Sequence, residues 1–209
     1  MNEGQSSNET ILPSIPKEYR DNPEYYDNNQ GTLNVGSRES NIAAQILSNF
    51  APTPFTLDGI SYASIEAFVQ TLKSPNEDEQ NKMRTLTGSE SKKSARRFKT
   101  EIKNAYMEDE NEEEPVGYVS NYQGIQIPFR SYDHYSLIER AIRAKFKQNP
   151  QAMESLLGNN KRDRRKITHI LYDHEGKAIP ENPFTSLPAE VFTTILMRIR
   201  NEEQDKNHH

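Results

Sequence analysis

The sequence predicts an α+β fold, mostly helical, in a single domain with short β-hairpins. Two segments, 64–73 and 135–148, repeat apolar residues at the three- and four-residue spacing of an amphipathic helix. Two others, 55–62 and 118–128, alternate apolar and polar residues around a two-residue turn, as the arms of a hairpin do. Helices therefore make up most of the predicted structure, and the hairpin strands pair locally.

Composition limits the class of protein. The chain has 209 residues, 33% of them hydrophobic, with a net charge of −5 and a mean hydropathy of −0.96. A hydrophobic share this low indicates that part of the chain is solvated loop or tail. The absence of cysteine excludes disulfides, zinc–thiolate sites and thiol nucleophiles. The acidic balance argues weakly against a general nucleic-acid binder.

We expect three regions along the chain: a disordered or loosely packed tail over 1–30, one domain over 31–202, and a polar tail over 203–209. The first region is rich in Asn, Glu, Ser, Pro and Tyr and has no periodicity. No apolar run approaches the roughly 20 residues that cross a membrane, and the first residues lack a signal-peptide core. We therefore expect a soluble cytoplasmic protein.

The expected domain begins with a short strand over 32–35, which ends at the turn Gly36-Ser37-Arg38. Such a turn can hold a phosphate, which makes Arg38 a candidate ligand, but it is more often only a turn. An apolar run over 43–47 and the first hairpin, 55–62, follow. The hairpin leads directly into a helix, so Asn49 and Tyr62 are expected near the N-terminus of that helix.

That helix is predicted from an N-cap at Ser64 to a stop at Ser74-Pro75. Its apolar stripe consists of Ile65, Phe68, Val69 and Leu72. A second row at helical spacing is polar and consists of Glu66, Gln70 and Lys73. The rows lie roughly 110–120° apart, so the polar row is on the shoulder of the buried face. A carboxylate at Glu66 can therefore be partly desolvated, and the helix dipole favours its charge.

Two further helices are predicted, over 79–86 and 89–105. The outer face of the second is basic and carries Lys92, Lys93, Arg96, Arg97 and Lys99. A solvated charged face is the simpler interpretation, and a phosphate contact from one or two of these residues, with Arg97 as the candidate, is the alternative. An acidic solvated loop over 108–114 and the second hairpin follow.

The remaining predicted elements are helices over 135–148 and 152–157, a strand over 167–172, and a last helix that begins at Pro188. His169, Asp173 and His174 have no spacing that turns three metal ligands together, so we expect no metal site. No Ser-His-Asp arrangement, P-loop or dinucleotide fingerprint is present, so we expect no cofactor. The basic clusters lack interleaved aromatic residues, so nucleic acid is expected only as a modified substrate.

Part of this pattern resembles the signature of the NADAR domain, also called the YbiA-like fold. The matching residues are Leu47-Ser-Asn-Phe50, Asp58-Gly59 and Tyr62-x-Ser64-x-Glu66-x-Phe68-x-Gln70-x-x-Lys73. The segment Ala141-Ile-Arg-Ala-Lys-Phe146 is similar to a second helix motif of the family. The likeness spans roughly residues 32–202, with order and spacing preserved.

The resemblance implies a mostly helical α+β domain and a hydrolase activity. Known members are N-glycosidases that cleave ribosyl C–N bonds in nucleotide-like molecules, such as phosphoribosyl compounds and ADP-ribose on a guanine base. By position, Glu66 matches the essential glutamate of the family. The chain departs from the family in having no tryptophan, and its corresponding segments are Phe129-Arg-Ser-Tyr132 and 183–190. These changes affect the side of the site that stacks sugar and base.

Breaking a ribosyl C–N bond passes through an oxocarbenium-like state, which needs a nearby negative charge and an acid or a base. Glu66 can stabilise the cation, position water or protonate the leaving nitrogen, and Lys73 can form a Schiff base with the opened sugar. The other carboxylates considered are Asp133, Asp173 and Glu190. We predict Glu66 and Lys73 as catalytic. The predicted substrate-binding residues are Asn49, Tyr62, Ser64, Phe68, Gln70, Arg38, Arg97 and Tyr132.

Other interpretations stay open at this stage. Glu66 and Lys73 can be ordinary residues of a helix surface. A nucleotide- or ADP-ribose-binding protein that has lost turnover is the rival function, and the missing tryptophan favours it. A nucleic-acid-binding module is a third class, and it would show steep salt dependence. The favoured partner is a small-molecule nucleotide or an ADP-ribosylated substrate, with no membrane involved.

Overall fold

A computed structural model describes residues 12–106, 117–158 and 161–206. The expected acidic loop at 108–114 lies outside these residues, as do the beginning of the expected N-terminal tail and the last three residues of the C-terminal tail. The described structure confirms the α+β class, with mostly helical elements and short hairpins. Among the described helices, none combines the length and the apolar character that a membrane crossing needs.

The elements follow one another in this order. Three 3-10 turns, Lys17–Tyr19, Pro23–Tyr25 and Asn28–Gln30, precede the first strand. The strands are β1 (Thr32–Asn34), β2 (Phe55–Leu57), β3 (Ile60–Tyr62), β4 (Val119–Tyr122), β5 (Ile125–Pro128) and β6 (Lys166–Thr168). The helices are α1 (Ile42–Leu47), α2 (Ile65–Thr71), α3 (Glu77–Met83), α4 (Gly88–Ser94), α5 (Phe98–Asn104), α6 (Tyr132–Gln148), α7 (Pro150–Leu157) and α8 (Ala189–Lys206).

The strands form three two-stranded sheets. Both predicted hairpins are confirmed, as β2–β3 and β4–β5. In the first, Asp58 and Gly59 have φ of 49° and 82°, the left-handed values that a tight hairpin turn requires and that Asp-Gly supplies readily. The third sheet pairs β1 with β6 in parallel, with Leu33 opposite Ile167. This pairing joins segments separated by 134 residues.

The core lies between α2, α6 and α8. Phe68 of α2, Ile142 of α6 and Ile195 of α8 are fully buried members of one large apolar cluster, to which β1, β2 and β6 also contribute. The apolar stripe predicted for the first helix faces this cluster. Because α2 packs on several sides, all of its residues are buried, including those of its polar row.

Several elements differ from the expectation. The helix predicted over 89–105 is divided at 95–97 into α4 and α5, which allows Ala95 and Phe98 to pack together on Met83. The strand predicted over 167–172 ends at Thr168, because β1 extends only to Asn34, and Tyr172 instead forms a bridge with Ala178.

The two ends of the described chain are more ordered than the composition suggested. Within the expected tail over 1–30, Tyr19 is only 2% exposed, and its ring lies 5.5 Å from that of Tyr135. The Arg198 guanidinium lies 5.2 Å from the Tyr19 ring and binds Glu139. In the expected tail over 203–209, α8 continues to Lys206, and buried Gln204 donates to the carbonyl of Asp163. Polar residues that are buried through hydrogen bonds give no hydropathy signal, which is why both ends resembled tails.

Candidate active site around Glu66

Glu66 lies in the first turn of α2. The helix begins at Ser64, whose Oγ accepts a hydrogen bond from the Ala67 amide at 3.0 Å, as predicted for an N-cap. Ile65 and Phe68 anchor the adjacent face in the core. Glu66 is 4% exposed, so the shoulder position predicted from the sequence is almost completely removed from water.

Two side-chain amides hold the Glu66 carboxyl group. Asn49 Nδ2 donates to Oε2 at 2.5 Å, and Gln70 Nε2 donates to Oε1 at 2.8 Å. The backbone amide of Glu66 also donates to the Asn49 carbonyl at 2.8 Å. The Oδ1 atom of Asn49 is buried and has no hydrogen-bond partner in the described part of the chain. The site therefore combines a fixed carboxyl group with a free hydrogen-bond acceptor beside it.

The environment of Glu66 changes its proton affinity. Burial raises the pKa of the Glu66 carboxyl above its ordinary value, while the charge of Lys92, the hydrogen bond from Gln70 and the charges of Lys73 and His169 oppose this shift. The neighbouring charges that act most strongly on Glu66 thus come from basic groups. A buried carboxyl with a raised pKa is able to carry a proton under conditions in which an exposed glutamate is ionised.

Lys73 lies at the end of the same helix row. Burial lowers the pKa of its amine to about 8, against the attraction of Glu66, and Lys92 lowers it further. None of the described residues forms a hydrogen bond or ion pair with the Lys73 ammonium. Its backbone carbonyl accepts from the Tyr118 hydroxyl at 2.7 Å, which fixes the end of the helix row.

Two basic residues that the sequence did not assign to the site act on Glu66. Lys92, on α4, places its ammonium 5.0 Å from the centre of the half-buried Phe50 ring. His169 follows β6, and its Nδ1 lies 2.7 Å from the Val35 carbonyl, so Nδ1 carries the proton of that hydrogen bond. The parallel pairing of β1 with β6 brings His169 close enough to act on Glu66. This pairing is long-range, so no local sequence pattern assigns His169 to the site.

Three of the predicted substrate-binding residues build the helix and its core instead. Ser64 is the N-cap of α2. Tyr62 and Phe68 are buried and pack edge to face with ring centres 4.9 Å apart, and Tyr62 stacks on Phe55 at 5.6 Å. Burial raises the pKa of Tyr62 to about 12. These rings fill the core next to Glu66 and do not offer an open face for a base.

The structure does not bring three other candidates to Glu66. Arg38 is exposed on its turn. Arg97 pairs with Glu79 at 2.6 Å and covers the ring of Phe98. Tyr132 is 53% exposed and lines a separate cavity of about 580 Å³, formed by the first 3-10 turn with α6 and α8.

The three carboxylates that the sequence offered as partners of Glu66 either accept hydrogen bonds from backbone amides or are exposed. Glu190 accepts from the backbone amide of Asp21 at 3.0 Å, and Asp173 accepts from the amides of Glu175 and Lys177 in its own turn. Asp133 is an exposed residue in the first turn of α6. The described residues contain no cluster of acidic or histidine side chains that would hold a metal ion. A lysine, not a second carboxylate, is thus the other ionisable group of the helix row.

Fold and site together define an α+β domain of the YbiA-like type with a buried glutamate held by two amides. The NMR structure of the E. coli protein YbiA matches this chain with a TM-score of 0.54 and 14% identity, covering 91% of this chain and 95% of that one. At this identity the likeness concerns the fold. A family model described as Bacteriophage protein GP30.3 matches residues 41–108, a segment that contains Asn49, Glu66 and Lys73. No curated protein matches the sequence.

Proposed function

We propose that the protein is an N-glycosidase that hydrolyses the ribosyl C–N bond of an ADP-ribose-like or phosphoribosyl nucleotide compound, including ADP-ribose on a modified base. The observation that carries the proposal is the buried Glu66 carboxyl, held by Asn49 and Gln70, with the amine of Lys73, which no described residue pairs, on the same helix row. The YbiA-like fold supports the proposal because the sequence resemblance to N-glycosidases covers the same region.

Glu66 serves best as the acid. Because burial raises its pKa, the carboxyl group holds a proton more readily than an exposed glutamate does, and it can transfer that proton to the leaving nitrogen as the C–N bond breaks. The bond's electron pair then leaves with the base. The carboxylate that remains is close to the positive charge that develops at the sugar, and it stabilises that charge in a site with little water.

Lys73 serves as the nucleophile in this scheme. Its lowered pKa leaves a larger fraction of neutral amine near neutral pH than an exposed lysine has. As the base leaves with the proton of Glu66, the amine forms a bond to the sugar C1′ and returns one proton to the Glu66 carboxylate. Its second proton passes to the ring oxygen as the C1′–ring oxygen bond opens, and an imine results. Water then adds to the imine carbon and releases the sugar, which restores the amine. The net reaction is hydrolysis.

The remaining groups suit an anionic ribosyl substrate. The buried Oδ1 of Asn49 has no donor among the residues that the structure describes, and it can accept a hydrogen bond from a ribose hydroxyl. Lys92, which acts on Glu66 through its charge, supplies a cation of the kind that a phosphate requires. Phe50, half-buried beneath Lys92, has an aromatic face that is not entirely enclosed and is a candidate for stacking on the base.

The test is release of ADP-ribose from an ADP-ribosylated guanine oligonucleotide, and of free base from phosphoribosyl compounds, measured by chromatography. We expect Glu66→Gln to reduce release by about 10²–10⁴-fold, the usual contribution of a positioned acid. Glu77→Gln, on the exposed face of α3, is the matched control and keeps wild-type activity. Release that is unaffected by Glu66→Gln would refute the assignment.

The rival function, a binding protein without turnover, is favoured by the absence of tryptophan and by the position of Tyr132 outside the Glu66 group. Isothermal titration with ADP-ribose, run beside the release assay, separates the two functions. Binding by the wild type with no release, and with affinity unchanged in Glu66→Gln, would support the rival.

A further inference from the structure

Lys145 of α6 is a lysine enclosed in the interior. It is 1% exposed, and its ammonium donates to the backbone carbonyls of Ile46 at 3.0 Å, Leu47 at 3.4 Å and Ser48 at 2.9 Å. No carboxylate lies within ion-pair distance among the residues described. Burial lowers the pKa of this amine to about 7, and the three carbonyl contacts favour its charged form.

The three carbonyls belong to the end of α1 and the residue after it. The last carbonyl groups of a helix receive no hydrogen bond from an amide of the same helix. When they are buried, they need a donor from elsewhere in the molecule. Lys145 supplies that donor from a helix that is distant in sequence. The Ser48 carbonyl also accepts from the Ala51 amide at 3.1 Å, so the ammonium holds a closed turn around Asn49.

Asn49 follows these carbonyls directly, and it is the residue that holds Glu66. Its carbonyl accepts from the Glu66 amide, and its Nδ2 donates to the Glu66 carboxyl group. A continuous chain of hydrogen bonds therefore leads from the Lys145 ammonium, through the Ser48 carbonyl and one peptide unit, to the carboxyl group of the site.

We propose that Lys145 is the positioning residue of the site: its ammonium fixes the turn 46–48 so that the Asn49 side chain meets the Glu66 carboxyl. Lys145 touches no substrate in this scheme. The consequence for catalysis depends on the proposed N-glycosidase function, whereas the consequence for the geometry of Asn49 does not. Both are measurable separately.

The test compares Lys145→Met, which keeps an unbranched side chain of nearly the same length without the ammonium, with Lys147→Met on the exposed face of the same helix. NMR of the folded proteins measures the hydrogen-exchange protection of the Asn49 side-chain amide and the carboxyl shift of Glu66. We expect Lys145→Met to lose at least tenfold in that protection and to shift the Glu66 signal, while Lys147→Met leaves both unchanged.

In the release assay, Lys145→Met should lower kcat about 100-fold with KM changed less than threefold, because displaced catalytic groups cost rate more than binding. If Lys145→Met does not fold, Lys145→Gln replaces it under the same criteria, since its shorter side chain cannot reach all three carbonyls. A folded variant with an unchanged Asn49 amide and Glu66 signal would overturn the proposal. Absence of any release by the wild type would instead count against the N-glycosidase function, with the NMR result still deciding the role of Lys145.

Discussion

Asn49 and Glu66 are joined by two hydrogen bonds that run in opposite directions. The Glu66 amide donates to the Asn49 carbonyl at 2.8 Å, and the Asn49 side-chain amide donates to the Glu66 carboxyl at 2.5 Å. The loop after α1 thus caps α2 and orients its acidic side chain at the same time. Because both bonds are buried, the position of the carboxyl depends on the loop as much as on the helix.

The first prediction concerns the other amide, Gln70. Its hydrogen bond favours the charged carboxylate, so its loss in Gln70→Met should raise the pKa of Glu66 further. We expect the carboxyl signal of Glu66, followed by ¹³C NMR, to titrate at higher pH than in the wild type. Gln80→Met, a glutamine whose amide donates to the Ser74 carbonyl, is the control. A Glu66 titration that is unchanged or moves downward in Gln70→Met would contradict this account of the site.

A second prediction tests the chemistry of Lys73. Reduction with cyanoborohydride during turnover should trap the imine and leave a sugar adduct on the peptide that contains Lys73, detected by mass spectrometry. Lys73→Arg should abolish the adduct, because a guanidinium does not form it. Lys82→Arg, on the exposed side of α3, should still give the adduct. If Lys73→Arg hydrolyses the substrate at the wild-type rate, water alone is the nucleophile.

The third prediction is a pH dependence of stability due to His134. This ring is enclosed between the Ser120 hydroxyl and the Ser186 carbonyl, and burial lowers its pKa from 6.5 to about 4. Between pH 6.5 and about pH 4, His134 therefore binds a proton in the unfolded chain but not in the folded chain. Stability falls as the pH drops through this window, by about 3 kcal/mol for a shift of this size.

Urea unfolding from pH 7 to pH 4 measures this effect. Glutamine does not titrate, so the free energy of unfolding of His134→Gln should depend less on pH than that of the wild type. The stability of this variant at pH 7 should be lower, because the hydrogen bonds of His134 change. His174→Gln is the matched control, since His174 is exposed and its substitution should leave the slope as it is. An identical slope in His134→Gln and the wild type would show that His134 is not the group responsible.

The fourth prediction concerns Tyr19 and the segment before β1. Tyr19 packs on Tyr135 and beneath Arg198, so Tyr19→Ala should cost about 3–5 kcal/mol, as for a large buried ring. Tyr172→Ala, at a half-exposed position in a loop, should cost less than about 1 kcal/mol. Chemical denaturation gives the free energy of unfolding of both variants, and it shows whether the segment before β1 is an integral part of the fold or a dispensable tail. Equal stability of Tyr19→Ala and the wild type would mean that the segment is dispensable.

The local parts of the fold were predictable from the sequence. Asp58-Gly59 determines a hairpin turn through its backbone preferences, and the spacing of Ile65, Phe68 and Leu72 determines the buried face of α2. These signals involve residues close together in the chain. The same spacing placed Glu66 on the shoulder of the helix, although the sequence could not show that its surroundings would bury it entirely.

The non-local parts were not predictable. His169 reaches the site through a parallel strand pair whose partners are 134 residues apart, and Lys145 reaches the turn before Asn49 from α6, nearly 100 residues away. Neither residue has a periodic pattern that identifies its partner. Tyr132 is aromatic and corresponds to a segment that carries tryptophan in the family that the sequence resembles, which predicts a place near the substrate, but Tyr132 lines a different cavity.

The parallel pairing of β1 with β6 has a consequence for the order in which the molecule is assembled. Closing a loop of this length costs chain entropy before any contact compensates for it, so long-range pairs of this kind form late. A chain still emerging from the ribosome can build α2 and its hairpin, but His169 cannot join them until β6 has been synthesised. The last of the basic neighbours of Glu66 therefore joins the site only after the pairing of β1 with β6.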